Sequence, residues 1–206
     1  MSKKIVFIGD SITEWGREPG VNDLGTGYVK YIHDYLLVSD PLNFPEIINR
    51  GIGGDRITNL AERWEQDVVD LQPDILSISV GINDVWRQLD DPEIEQVTPE
   101  RFEVIYRELL LKTQKETDAV IIMMEPTVIE EKINSEGNEK LKAYVQIVAE
   151  LASEFNLVVV PTHQSFLTYL EAKTNYELTI DGVHMNDAGN LLMAKTWLET
   201  YKKLNV

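Results

Sequence analysis

The sequence predicts an α/β protein in three layers, with helices covering both faces of a five-stranded parallel sheet. Three observations carry that expectation. Five short runs, at 5–8, 46–50, 75–80, 119–124 and 157–160, are rich in aliphatic and β-branched residues. They are close to continuously apolar rather than alternating, as strands buried on both faces are. Segments with apolar residues every three to four positions separate these runs, so that strand and helix alternate along the chain.

In chain order, the first strand, Ile5-Val6-Phe7-Ile8, is broken by Gly9 and followed by Asp10, Ser11 and a polar loop over 13–23. Val29, Ile32, Leu36 and Leu37 mark a helix over 27–38, which Pro41 and Pro45 end before the second strand. A glycine-rich turn, Gly51-Ile52-Gly53-Gly54-Asp55, leads into a helix over 58–71 with Leu60, Trp64, Val68 and Leu71 on one side. The third strand closes at Gly81-Ile82-Asn83-Asp84, and the acidic stretch 85–97 reads as a loop. Thr98 as N-cap and Pro99 at the first helical position open the next helix, striped by Phe102, Ile105, Tyr106, Leu109 and Leu110. A fourth strand, a helix over 139–155, a fifth strand, a short helix over 164–170, a turn-rich Asp181-Gly182-Val183-His184 and a last helix over 186–204 complete the chain. No repeat, low-complexity tract or linker divides it, so 1–206 is expected to form one domain.

Composition narrows the function. With 43% hydrophobic and 26% charged residues the chain is ordinary for a globular protein, and no stretch approaches a membrane span. A net charge of −16 argues against nucleic acid and against stable association with anionic membranes. The absence of cysteine removes thiolate metal sites and a cysteine nucleophile. Met1-Ser2-Lys3-Lys4 runs straight into a strand without a secretory signal, which points to the cytoplasm. A small-molecule substrate fits these limits; association into a homo-oligomer is left open.

In a doubly wound sheet, ligands bind at the carboxyl ends of the strands. The breaks carrying Ser11, Gly54 and Asn83 should therefore gather at one edge. Taken alone, a serine at a strand-to-helix junction is more often a cap, the glycines a tight turn and Asn83 a turn residue. Together they fit acyl transfer, with a nucleophilic hydroxyl and three donors for an oxyanion: the N–H groups of Ser11 and Gly54 and the Asn83 amide. Of the three histidines, His33 falls within an amphipathic helix and reads as packing. His163 follows the fifth strand but has no nearby acid. His184 has Asp181 three residues earlier, close enough to bond Nδ1 and turn Nε2 to Ser11, which favours it as the base. Asp10 and Asp84 read as turn-organising residues. Trp15, Arg56 and Trp86 follow the three loops closely and are candidates to line a substrate pocket.

Four blocks, Gly9-Asp10-Ser11-Ile12-Thr13, Asn49-Arg50-Gly51-Ile52-Gly53-Gly54-Asp55, Gly81-Ile82-Asn83-Asp84 and Asp181-Gly182-Val183-His184, resemble in order those of the GDSL, or SGNH, hydrolases. That resemblance implies a flavodoxin-like fold and a serine ester hydrolase without metal or organic cofactor. It assigns Ser11, Asp181 and His184 to the catalytic triad, and Ser11, Gly54 and Asn83 to the oxyanion hole. Short, acetyl-like esters of carbohydrates or other small alcohols are the expected substrates. Lysophospholipase, thioesterase and acyltransferase activities on the same site are the alternatives. A rival from another class, a metal-dependent phosphoesterase using Asp10, Asp55, Asp181 and His184, suffers from the poor supply of histidine.

Overall fold

A computed structural model describes residues 3–204; Met1 and Ser2, which entered the reading of the N-terminus, lie outside them. The strands are β1 (Lys4–Gly9), β2 (Glu46–Gly51), β3 (Ile75–Ser79), β4 (Val120–Met124) and β5 (Val158–Val160). The helices are α1 (Ser11–Glu14), α2 (Tyr28–Ser39), α3 (Ile57–Trp64), α4 (Ile82–Asp90), α5 (Pro99–Glu116), α6 (Glu136–Phe155), α7 (Thr162–Glu171) and α8 (Asp187–Tyr201). A wider π-helical turn, Glu65–Val69, continues α3.

All five strands pair in parallel in the order β2-β1-β3-β4-β5, which is the flavodoxin-like arrangement. The order reverses between β1 and β3, and there the loops leaving adjacent strands part to opposite faces. Register fixes the carboxyl edge: Gly9 lies opposite both Gly51 and Ser79, and Ser79 lies opposite Met124, which pairs with Val160. The residues following each strand are thus delivered to one level.

Both sheet faces are covered. Ile5, Val6, Phe7 and Ile8 are fully buried, and β3 is buried along its whole length, as continuous apolar strands require. On one face α8 presents Trp197, whose ring lies 5.2 Å from that of Phe7 and whose indole N–H donates to Ser77 at 3.0 Å. On the other, the buried Trp64 of α3 donates to Thr113 of α5 at 3.1 Å. Each large aromatic therefore buries its apolar body while its one polar atom finds a partner. Among the described residues no helix is long and apolar enough to cross a membrane.

Several boundaries differ from the sequence reading by a few residues, and two of them have a clear cause. The stretch 85–97 was expected to be a loop, but its first part belongs to α4, which buries Ile82 and Val85 and packs Trp86 and Leu89 against the core. Helix α6 begins at Glu136, because Ser135 accepts a hydrogen bond from the Asn138 N–H at 3.1 Å and caps it.

Candidate active site

Gly9 ends β1, and the next residue, Asp10, caps α1 by accepting the Ile12 N–H at 3.0 Å. The cap is Asp10 rather than Ser11. Ser11 occupies the first helical position, and its hydroxyl meets His184 Nε2 at 2.9 Å. On the far side of the imidazole, Nδ1 lies 2.6 Å from Asp181 Oδ2. An ionised carboxylate can only accept, so Nδ1 carries the proton and the Nε2 lone pair faces the serine.

Asp181 is held in turn. Its Oδ1 accepts the backbone N–H groups of Val183 at 3.0 Å and His184 at 2.7 Å. Partial burial disfavours its charge, but the hydrogen bonds from His184 and Val183 outweigh this and hold its pKa below the ordinary carboxylate value. The loop carrying the pair is fastened from outside. Glu131 Oε1 accepts from the Leu178 N–H (2.8 Å), the Thr179 N–H (2.6 Å) and the Thr179 hydroxyl (2.6 Å). Thr179 then pairs with Met185 across the turn. Nothing in the sequence near Glu131 signalled this contact.

The expected donors converge on the same edge. Gly54 sits at φ +81°, and a Cβ there would meet nothing within 4 Å, so backbone conformation rather than crowding requires glycine. Its neighbour Gly53 makes the close approach: a Cβ would lie 2.9 Å from Glu14 Oε2 and 3.9 Å from the Ser11 Cβ. Asn83, buried in the first turn of α4, donates one amide hydrogen to the Asp55 carbonyl at 3.1 Å, which ties the third strand's loop to the second's. The amide carries a second N–H.

The remaining candidates divide. Trp15 stacks on the His184 ring (5.3 Å between centroids) and Trp86 meets it edge-on at 5.8 Å. Arg56 instead points its guanidinium at the Glu95 carbonyl, at 2.6 Å. His163 is buried and donates from Nδ1 to the Thr127 carbonyl. His33 pairs with Asp34 at 2.9 Å and packs edge-on to Phe44. The carboxylates weighed as metal ligands are engaged elsewhere, Asp10 at its cap and Asp55 with Arg63 at 2.8 Å. Among the described residues, no group of three or more His, Asp or Glu could hold a metal ion.

Asp84 accepts the Ile57 N–H at 3.1 Å, joining α4 to the start of α3, so both buried aspartates organise turns as read from the sequence. Burial pushes Asp84 up to about 7, and burial together with repulsion from Asp84 and Asp55 does the same to Asp10. Both folded values lie above the ordinary 3.8, so on raising the pH the unfolded chain releases these protons first. Their contribution to stability is full in acid, declines between about pH 4 and pH 7, and is lost above. Asp84→Asn removes one of these ionisations. Its thermal midpoint, relative to wild type, is expected to rise from about pH 5 to pH 8. A constant difference across that range would contradict the assignment.

A flavodoxin-like parallel sheet carries this hydrogen-bonded Ser–His–Asp arrangement at its carboxyl edge, and its similarity to known proteins makes the protein a carboxylic ester hydrolase. It belongs to the GDSL-like Lipase/Acylhydrolase family, whose model matches residues 7–192. Among known proteins it is similar to an acetylxylan esterase of Geobacillus stearothermophilus, 36% identical over 95% of this chain and 92% of the relative. The crystal structure of the acetylxylan esterase Axe2 from that organism superposes with a TM-score of 0.89, at 36% identity over 96% of this chain and 93% of that one. The α/β hydrolase LAE5, from the metagenome of Lake Arreo, Spain, superposes at 0.90, with 31% identity over 100% and 99% of the two chains.

Proposed function

We propose that the protein hydrolyses short-chain, acetyl-like esters of carbohydrates through an acyl-enzyme on Ser11. The observation that carries this reading is the continuous chain from Ser11 Oγ through His184 to Asp181, at 2.9 and 2.6 Å. His184 Nε2 takes the hydroxyl proton as Oγ attacks the acyl carbonyl, while Asp181, kept ionised by its hydrogen bonds, stabilises the imidazolium. The tetrahedral oxyanion is received by the N–H groups of Ser11 and Gly54 and the second N–H of Asn83, each such donor being worth about 10²–10³ in rate. His184 returns its proton to the leaving alcohol oxygen. Water then repeats the cycle in the same geometry, releases the acid and restores the serine.

The flanking indoles of Trp15 and Trp86 support a carbohydrate alcohol. A pyranose presents C–H edges that stack on such rings, and both rings stand beside the base that must protonate the leaving oxygen. The similarity to an acetylxylan esterase supports acetyl as the acyl group. Hydrolysis of p-nitrophenyl esters from about two to twelve carbons, with acetate release from acetylated xylo-oligosaccharide measured alongside, tests the assignment. We expect the highest kcat/KM at the acetyl ester and a fall of more than tenfold by about eight carbons, because one missing or surplus methylene changes discrimination by about 10–200-fold. A maximum at long chains would overturn the short-acyl reading.

A further inference from the structure

Arg63 lies on α3 between Glu62 and Glu65, where the sequence suggests nothing beyond a solvated charge run. In the fold its side chain is only 14% exposed, and all three guanidinium nitrogens are engaged. Nε donates to Asp55 Oδ2 at 2.8 Å, and Nη2 to the Gly9 carbonyl at 2.9 Å. Nη1 donates to the Arg50 carbonyl at 2.9 Å and to Asp67 Oδ2 at 2.8 Å.

Three of these partners belong to the site's own framework. Gly9 closes β1 two residues before Ser11. Arg50 is the penultimate residue of β2, and Asp55 directly follows Gly54. The Asp55 carbonyl, moreover, is the acceptor for the Asn83 amide. From the convergence of these bonds on one planar fork we infer that Arg63 is a positioning residue, one that sets the spacing between the Ser11 nucleophile and the Gly54 and Asn83 donors. This rests on the serine-hydrolase reading above.

The geometry explains why arginine is used. Acceptors on three separate segments lie around one plane, and a guanidinium offers five N–H groups in a fixed fork, whereas lysine offers a single rotating point charge. The β1–β2 ladder, in which Gly9 pairs with Gly51, holds the strands together without Arg63, and Arg50 pairs with Asp67 independently at 3.3 Å. Loss of the fork therefore loosens the relative placement of the loops more than it threatens the sheet. A displacement of about 1 Å at reacting atoms can cost about 10²-fold in rate.

Steady-state kinetics on p-nitrophenyl acetate for Arg63→Ala, Arg63→Lys, Asn83→Ala and the Arg63→Ala/Asn83→Ala pair, each checked for folding by thermal melt, test the inference. Arg63→Ala is expected to lower kcat about 10²-fold with KM within about twofold of wild type, since the oxyanion contacts act in the transition state. The pair should be no slower than the slower single variant, because both changes act through the same donors. If Arg63→Ala fails to fold, Arg63→Lys is held to the same kcat and KM criteria. A folded variant whose kcat stays within about threefold of wild type, or fully additive losses in the pair, would overturn the positioning role. Ser11→Ala assayed in parallel separates the two levels. If it is inactive while the Arg63 variants are unimpaired, the positioning role alone is overturned; if it is active, the reading of the site fails.

Discussion

Replacing Ser11 with alanine is expected to lower kcat by about 10⁶-fold while leaving the thermal midpoint close to wild type. The separation of the two effects follows from the local geometry. Helix α1 is capped by the Asp10 carboxylate, so the Ser11 hydroxyl carries no capping role, and its side-chain partner is His184. Removing Oγ takes away the nucleophile and leaves the donors of the oxyanion site in place. What survives should resemble the residual 10³–10⁴-fold advantage over water that binding and oxyanion donors supply when a triad is broken. Single-turnover and steady-state rates on an acetyl ester measure this. A variant that keeps even about a tenth of wild-type kcat would place the chemistry elsewhere.

His184→Ala is expected to cost a loss of the same order, and the double variant with Ser11→Ala should be no worse, because groups that act as one unit are not additive. His163 provides the contrast. It also lies beyond a strand's carboxyl end, yet it is buried with Nδ1 given to the Thr127 carbonyl rather than to an acid. Its replacement by alanine removes a buried hydrogen-bonded ring and leaves the Thr127 carbonyl short of a donor, which costs about 1–3 kcal/mol of stability. Its effect on kcat at a temperature where the variant is folded should stay within about threefold. Comparable kcat losses in the two variants would mean that the base has been assigned to the wrong histidine.

Much of the framework behind these predictions was legible in the sequence because it rests on local signals. The strands at 5–8, 75–80 and 119–124 are continuous apolar runs, and their register brings the polar breaks after them to one edge. Asp181 and His184 meet across a three-residue turn, a distance that sequence spacing can convey. Helix α4 escaped notice because Gly81, at φ +123°, begins it without a side-chain cap, and Asp90, Asp91 and Glu93 mask the spacing of Ile82, Val85, Trp86 and Leu89. Helix α5 carries the opposite signature, with the Thr98 cap and Pro99. Arg63 and Glu131 were invisible for another reason. Each is a charged residue in a charged stretch; apart from Asp67, four residues on from Arg63, the partners lie 8 to 54 and 47 to 48 positions away, so tertiary folding turns each from a solvated side chain into a tie. The reading of Ser11 as a nucleophile rather than a cap lay between these cases. The sequence gathered the supporting groups, and the coordinates assigned the cap to Asp10.

The site of covalent capture tests Ser11 as nucleophile without reference to any substrate. An organophosphonate ester should inactivate the wild-type protein stoichiometrically, and peptide mass mapping should find the phosphonyl adduct on Ser11. In His184→Ala the same adduct should form far more slowly, since no base remains to take the hydroxyl proton. Inactivation with the adduct on another serine, or labelling of Ser11 at an unchanged rate without His184, would contradict the nucleophile and base assigned here.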